Sequence, residues 1–285
     1  KQKTAYEISL GLVGSEMCIR DRYVSWKHKF SDELVLTAGL TSLYLNLGED
    51  SFSPIEPRLG LKWNINDKSS FSFGLGYHSQ TQPLYTRYYI NEGNTKAHNE
   101  NLGLTYSKHI ILGYSNQVHK NLGLKTEVYY QDLTGIPVER TPSAFSLTNA
   151  GSGFARVFPD TLENSGTGYN YGLEVTLQRY FNKNWHALFS GCFYNSKYTP
   201  SDGIERNTSF NGMYAANFLA GKEFEVGKNK VLGLGVKVTG AGGKRRGTVD
   251  HVASNEQGEV IFLDEGFNED KFKDYFRFDI KTTFK

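Results

Sequence analysis

The chain has 285 residues, with 32 Lys and Arg against 30 Asp and Glu, a net charge of +2 and 38% hydrophobic residues. That balance gives no reason to expect a nucleic-acid partner, and at a mean hydropathy of −0.49 no run approaches the ~20 apolar residues of a membrane helix. A membrane β-barrel stays open, because its strands are apolar on one face only, and 18 Tyr, 19 Phe and 30 Gly suit such a wall.

The first stretch, "SLGLVGSEMCIRDR" (Ser9–Arg22), does not share the patterning of the rest. It also lacks the charged-then-apolar order of a secretory leader. Back-translated, Leu12 to Asp21 reads CTC GTG GGC TCG GAG ATG TGT ATA AGA GAC, which resembles, codon for codon, a transposase adapter used in sequencing-library preparation. The expectation is a non-native leader over residues 1–22 and a native portion over 23–285, truncated on its N-terminal side. Cys18 is then no disulfide partner for Cys192.

From Tyr23 onward the dominant signal is period-2 alternation, the mark of strands with two unlike faces. "RLGLKWNI" sets Leu59, Leu61, Trp63 and Ile65 against Arg58, Gly60, Lys62 and Asn64. "SFSFGLGYHS" sets Phe71, Phe73, Leu75 and Tyr77 against Ser72, Gly74, Gly76 and His78. "LGLKTEVYYQ" sets Leu122, Leu124, Thr126, Val128 and Tyr130 against Lys125, Glu127, Tyr129 and Gln131. "YGLEVTLQRYF" (Tyr171–Phe181) and "YFRFDIKTTF" (Tyr275–Phe284) repeat the scheme.

Short turn signals at Ser31, Asn66, His119, Asn182 and Gly227 alternate with longer polar stretches near 47–54, 80–103, 133–167, 198–210 and 242–272. That rhythm predicts about eleven strands of roughly 8–15 residues, longer than the usual 5–6 of soluble sheets. Long strands with tight turns at one end and long loops at the other predict an all-β, antiparallel transmembrane barrel with short periplasmic turns and long extracellular loops. Apolar rows then face lipid. Arg58, Lys62, Lys125, Glu127, Glu174 and Arg277 face the lumen. A polar lumen walled by about eleven strands predicts part of a wider barrel, of the roughly 22-stranded, plugged kind.

Chemistry is sparse. "GAGGKRRG" (Gly240–Gly247) fails as a phosphate loop, because Val238 stands where its first Gly is required and Arg245 where Ser or Thr is. The seven His have no ligand spacing, so no metal or cofactor is expected, and no catalytic motif is present. A surface enzyme in a smaller barrel is a further reading, which a His–Ser pair converging on one rim would support. The candidates for substrate contact are loop residues combining stacking faces with hydrogen-bonding groups: Gln80, Gln82, Tyr85, Arg87, Tyr88 and Tyr89, then Arg140, Phe145, Asn149, Phe154 and Arg156. Lys244, Arg245 and Arg246 are candidates for an anionic substrate or lipopolysaccharide phosphate.

"IEPRLGLKWNINDKSSFSFGLGYHSQTQPL" (from Ile55), "LKTEVYYQDLTGIPV" (from Leu124), "GTGYNYGLEVTLQRYF" (from Gly166), "SDGIERNTSFNGMYAANFLAGKEF" (from Ser201) and "KDYFRFDIKTTFK" (from Lys273) together resemble the barrel of TonB-dependent outer-membrane receptors. The resemblance is to the Bacteroidetes type with an N-terminal carboxypeptidase-like regulatory domain. It implies a non-enzymatic receptor in the outer membrane of a Gram-negative bacterium that imports a scarce nutrient. The implied partners are outer-membrane lipid, a plug domain of the same full-length chain, the TonB complex through a missing N-terminal region, and an unknown nutrient. The plug and the TonB box lie outside this sequence, and the family usually continues through another hairpin beyond Lys285. A passive channel of the porin or fatty-acid-transporter type is the alternative.

Overall fold

The computed structural model describes residues 18–47, 50–52, 54–90, 97–151, 159, 161–258 and 260–285, with side chains from Arg22 onward except at 46–53 and 257. Most of residues 1–22, together with Phe154 and Arg156, lies outside the described residues.

In chain order the strands are β1 (Cys18–Lys29), β2 (Leu34–Leu47), β3 (Asp50–Phe52), β4 (Ile55–Asn66), β5 (Ser69–Gln80), β6 (Thr105–His119), β7 (Leu122–Glu139), β8 (Leu162–Asn182) and β9 (Trp185–Thr199). They continue with β10 (Arg206–Asn207), β11 (Tyr214–Glu225), β12 (Val231–Ala241), β13 (Arg245–Arg246), β14 (Val249–Asp250), β15 (Ile261–Phe262), β16 (Asp270–Lys271) and β17 (Tyr275–Phe284). One large sheet follows the order β1-β2-β4-β5-β6-β7-β8-β9-β11-β12-β17, with β3 and β10 as short additions. Each long strand pairs antiparallel with the next, so the path is a meander whose edges are β1 and β17. The eleven long strands match the rhythm of turns and loops in the sequence.

The tight turns follow from local chemistry. The Asn66 side-chain carbonyl accepts from the amides of Lys68 at 2.8 Å and Ser69 at 2.9 Å. Lys183 and Asn184 both take positive φ, 51° and 65°, as a two-residue hairpin turn of the primed type requires. Ser31 Oγ accepts from Leu34 N at 3.2 Å.

The loop expected over 133–167 is much shorter. β7 runs on to Glu139 and β8 starts at Leu162. The ladder survives by slipping at two irregularities, between Thr134 and Ile136 and between Ile136 and Val138. Gly135 allows the slip: its φ is 69°, and an added Cβ would stand 2.9 Å from the Leu104 carbonyl oxygen. Bulges continue a ladder while breaking its alternation, so the pattern faded before the strands did. Since ~9–11 residues cross a bilayer, the 18 residues of β7 and 21 of β8 project well beyond it. At the other end of the chain, β1 already includes Cys18–Arg22, paired with Ser42–Asn46, so the boundary expected after residue 22 falls inside a strand.

The two faces of the sheet are chemically opposite. The register aligns Phe73, Leu112, Val128, Leu173 and Phe193 across five strands. Val128 is 54% exposed, Leu173 40% and Phe193 59%. The same face carries the exposed Trp63, Phe71, Leu75, Ile110, Phe218, Phe278 and Ile280. An apolar face of that extent left uncovered requires a non-aqueous surrounding. The other face aligns Lys62, Ser72, Gly113, Glu127, Glu174 and Cys192.

The fully buried apolar residues sit elsewhere. Leu102, Leu104, Ile136, Val138, Ala144, Leu162 and Tyr198 are all at or beyond the loop-side strand ends. A conventional core therefore forms only where the surroundings are water. In the span, lipid takes the place of a core on one face.

Candidate functional site

The inward wall is a polar surface built by period 2. Residues two apart share a face, which places Lys125 Nζ 2.6 Å from Glu127 Oε2, Arg277 2.8 Å from Asp279 and Arg58 3.4 Å from Glu56. All the residues assigned to the lumen from sequence lie on this face. Nearer the loops a hydrogen-bonded belt crosses three strands. Ser107 Oγ is 2.6 Å from His109 Nε2, Gln131 Nε2 donates to Ser107 Oγ at 2.8 Å, and Asn170 Nδ2 donates to Gln131 Oε1 at 2.8 Å. His78 meets the edge of His109 at 5.0 Å and lies 3.9 Å from Glu56. At the tight-turn end the wall borders an open recess of about 720 Å³ lined by Lys62, Lys68, Lys125, Asp32 and Asp67 among other polar groups.

Ser107 and His109 are the pair that a hydrolase reading would need. A nucleophilic serine requires a carboxylate to orient its imidazole and donors to hold an oxyanion. Here the groups on His109 are the Gln131 amide and a second imidazole, and the nearby carboxylate, Glu56, lies against His78. The arrangement is a rung of the wall. Among the described residues no three His, Cys, Asp or Glu converge to hold a metal ion.

The long loops, at the opposite end from the tight turns, form a knitted canopy. Asn99 accepts from Leu162 N at 2.8 Å and donates to the Pro159 carbonyl at 3.3 Å. Asn164 accepts from Gly103 N at 2.7 Å and donates to the Gly135 carbonyl at 2.7 Å. Three of these bonds tie the 81–104 loop to Pro159 and β8, and the fourth ties β8 to β7. A second knot joins three more loops around Arg206, whose guanidinium donates to Asp202 at 2.9 Å and to the Asp264 carbonyl at 3.0 Å. Ala144 N donates to Asp264 Oδ1, Ser209 N to Asn149 Oδ1, and Asn268 Nδ2 to the Asn207 carbonyl. The Arg206 hydrogen bond holds the Asp202 carboxyl below its usual range. Asp274, at the base of the last loop, is lowered to about 2 by the Tyr214 hydroxyl, the Gly243 amide and Lys271.

The contact candidates fall on three loops, those that follow β5, β7 and β12. In the 81–104 loop and its approach, Gln80, Tyr88 and Tyr89 are exposed and Tyr85 is half-buried. Gln82 is buried and donates to Thr105 Oγ1 at 3.3 Å. Arg87 has no exposed surface, and its guanidinium donates to the Leu102 carbonyl. Both side chains therefore brace the loop from inside. Arg140 is exposed just past β7, Phe145 is half-buried, and Asn149 is occupied by Ser209 N. In the last loop, Lys244 lies 5.7 Å over Phe210 and Arg246 5.4 Å over Phe272. Arg245 is spent internally on the carbonyls of Asn211 and Glu269. The sequence reading passed over Asp202, Arg206, Asn99 and Asn164. Their signal is only that of turn-forming residues, and most of their partners lie about 60 residues away, the Asn164–Gly135 bond and the Asp202–Arg206 pair being the closer ones.

A family model described as "Outer membrane protein beta-barrel family" matches residues 49–257. No curated protein matches the sequence. Among solved structures, the FrpB iron transporter of Neisseria meningitidis aligns with a TM-score of 0.62 at 15% identity, over 92% of this chain and 37% of that one. The ferric yersiniabactin uptake receptor FyuA of Yersinia pestis gives 0.64 at 13%, over 92% and 37%. The siderophore receptor PirA of Acinetobacter baumannii gives 0.65 at 14%, over 93% and 39%. At such identities the likeness is one of fold. The chain spans well under half the length of these structures.

Proposed function

Because the chain belongs to the outer membrane protein beta-barrel family, and so resides in the outer membrane, we propose that it is part of a receptor that imports a scarce nutrient by TonB-dependent active transport, without enzymatic activity. The observation that carries the reading is the polar, ion-paired inward wall of an open eleven-strand arc whose outward face is bare and apolar. The arc aligns with little more than a third of an iron transporter, a siderophore receptor and a copper transporter. The native portion is residues 23–285, the inward wall faces a plug supplied by the remainder of the full-length chain, and Gln80, Tyr88, Tyr89, Arg140, Lys244 and Arg246 are the exposed residues offered to the nutrient.

The test is uptake in cells deleted for the full gene, across ferric siderophores, cobalamin, glycans and peptides. One nutrient should lose high-affinity uptake, and removal of TonB should reproduce that loss. Uptake that disappears with the gene but persists without TonB would make the protein a passive channel.

A further inference from the structure

Met213 lies between β10 and β11, one residue before Tyr214, at the loop-side end of the sheet. Of the two methionines in the sequence it is the one among the described residues. Its φ is 70°, a left-handed backbone that a side chain of this size adopts only where the surroundings impose it. Here they do. Tyr194 N donates to the Met213 carbonyl and Gly242 N to the Tyr214 carbonyl, both at 2.9 Å. The side chain is thereby held at the surface, 52% exposed, with its thioether sulfur 3.6 Å from Arg245 Nη2.

Arg245 bridges this corner of the canopy. Its Nε donates to the Asn211 carbonyl at 3.1 Å and its Nη1 to the Glu269 carbonyl at 2.7 Å. Those two bonds join the segment before β11 to the segment before β16. The third nitrogen meets a thioether, a weaker acceptor than either carbonyl. Oxidation to the sulfoxide would place a polar oxygen on that sulfur. A charged donor bonds an oxygen more strongly than a neutral one does, so the same guanidinium would gain a third full hydrogen bond.

We propose that Met213 is an oxidation site whose sulfoxide is held by Arg245, so that peroxide outside the cell tightens this corner of the canopy. A sulfur lone pair attacks one peroxide oxygen, the S–O bond forms and the O–O bond breaks. The departing hydroxide takes the proton left on the transferred oxygen and leaves as water. Sulfur is oxidised by two electrons and the peroxide is reduced by the same two. Sulfoxides usually loosen a protein because they disrupt an apolar core. The exposed Met213 side chain gives up no core, and the sign reverses.

The experiment treats the intact receptor with hydrogen peroxide and reads two quantities by mass spectrometry. One is sulfoxide at Met213, by peptide mapping. The other is amide exchange at position 245, whose N–H donates to the Ser209 carbonyl at 3.0 Å. Met213 should convert, exchange should slow severalfold, and methionine sulfoxide reductase should restore the starting rate. Met213→Leu should make exchange indifferent to peroxide. Arg245→Leu should still allow sulfoxide to form but abolish the slowing; protease resistance of the barrel confirms folding. A Met213 that stays unoxidised where free methionine reacts would overturn the proposal. So would sulfoxide formation that leaves wild-type exchange unchanged or faster, or slowing that persists in either variant.

Discussion

Replacing Val128 by arginine is expected to destabilise the barrel in lipid by about 2–4 kcal/mol, whereas arginine at Thr176 should cost under about 1 kcal/mol. Val128 lies in the row of Phe73, Leu112, Leu173 and Phe193. That row runs between the Phe71–Tyr114 contact on the tight-turn side and the Tyr77–Tyr106 and Tyr130–Tyr169 stacks on the loop side. A charge there sits at mid-bilayer, where it loses hydration without gaining a partner. Thr176 is in the adjacent strand but faces inward, opposite Lys125 and two residues from Glu174, where ionic groups are already paired and wet. Urea unfolding of the intact receptor in lipid vesicles measures the difference. Equal costs at the two positions would mean that the faces are not in different solvents.

The second large effect lies in the canopy. Arg206→Ala should loosen the three loops it joins by about 1–3 kcal/mol, the usual penalty for leaving a hydrogen-bonded polar group without its partner. The Arg206 side chain is 7% exposed and that of Asp202 15%, so deletion leaves a carboxylate with little water to replace its partner. Amide exchange at Ala144, Ser209 and Arg245 reports the change, because their N–H groups donate across the joined loops. The pH dependence has a fixed sign. The folded value of Asp202 is depressed by Arg206, so the pair's contribution is complete above the unfolded value of ~3.9. It is lost as pH falls through the lowered folded value. Acid should therefore raise exchange in the wild type below about pH 4 and change Arg206→Ala much less. Unaltered protection in the variant would show that the loops are held by other contacts.

Much of the wall was legible in the sequence because a β-strand writes its two environments at alternate positions. Phe71 with Ser72, or Val128 with Glu127, declares a face without any tertiary knowledge, and the structure keeps every such assignment quoted above. The canopy was not legible, for a physical reason. Polar loop residues look alike whether solvated or buried. "SDGIERNTS" reads as a run of turn signals, yet Arg206 in it is an anchor for Asp264, 58 residues further on. In the same way Arg87 looked suited to a ligand, and the fold spends it on a backbone carbonyl. The bulges at Thr134–Val138 hid the last third of β7 because they interrupt the alternation while its hydrogen bonds continue.

The account rests on which side of the sheet meets hydrocarbon, and site-directed spin labelling of the intact receptor in vesicles measures that directly. With Cys192 replaced by alanine, single labels at Leu75, Val128 and Leu173 should collide freely with dissolved oxygen and be shielded from a polar nickel chelate. Labels at Ser72, Lys125 and Thr176 should show the reverse. Polar access at Val128 and Leu173 together with oxygen access at Lys125 and Thr176 would contradict the outward apolar face, and with it the membrane-spanning arc.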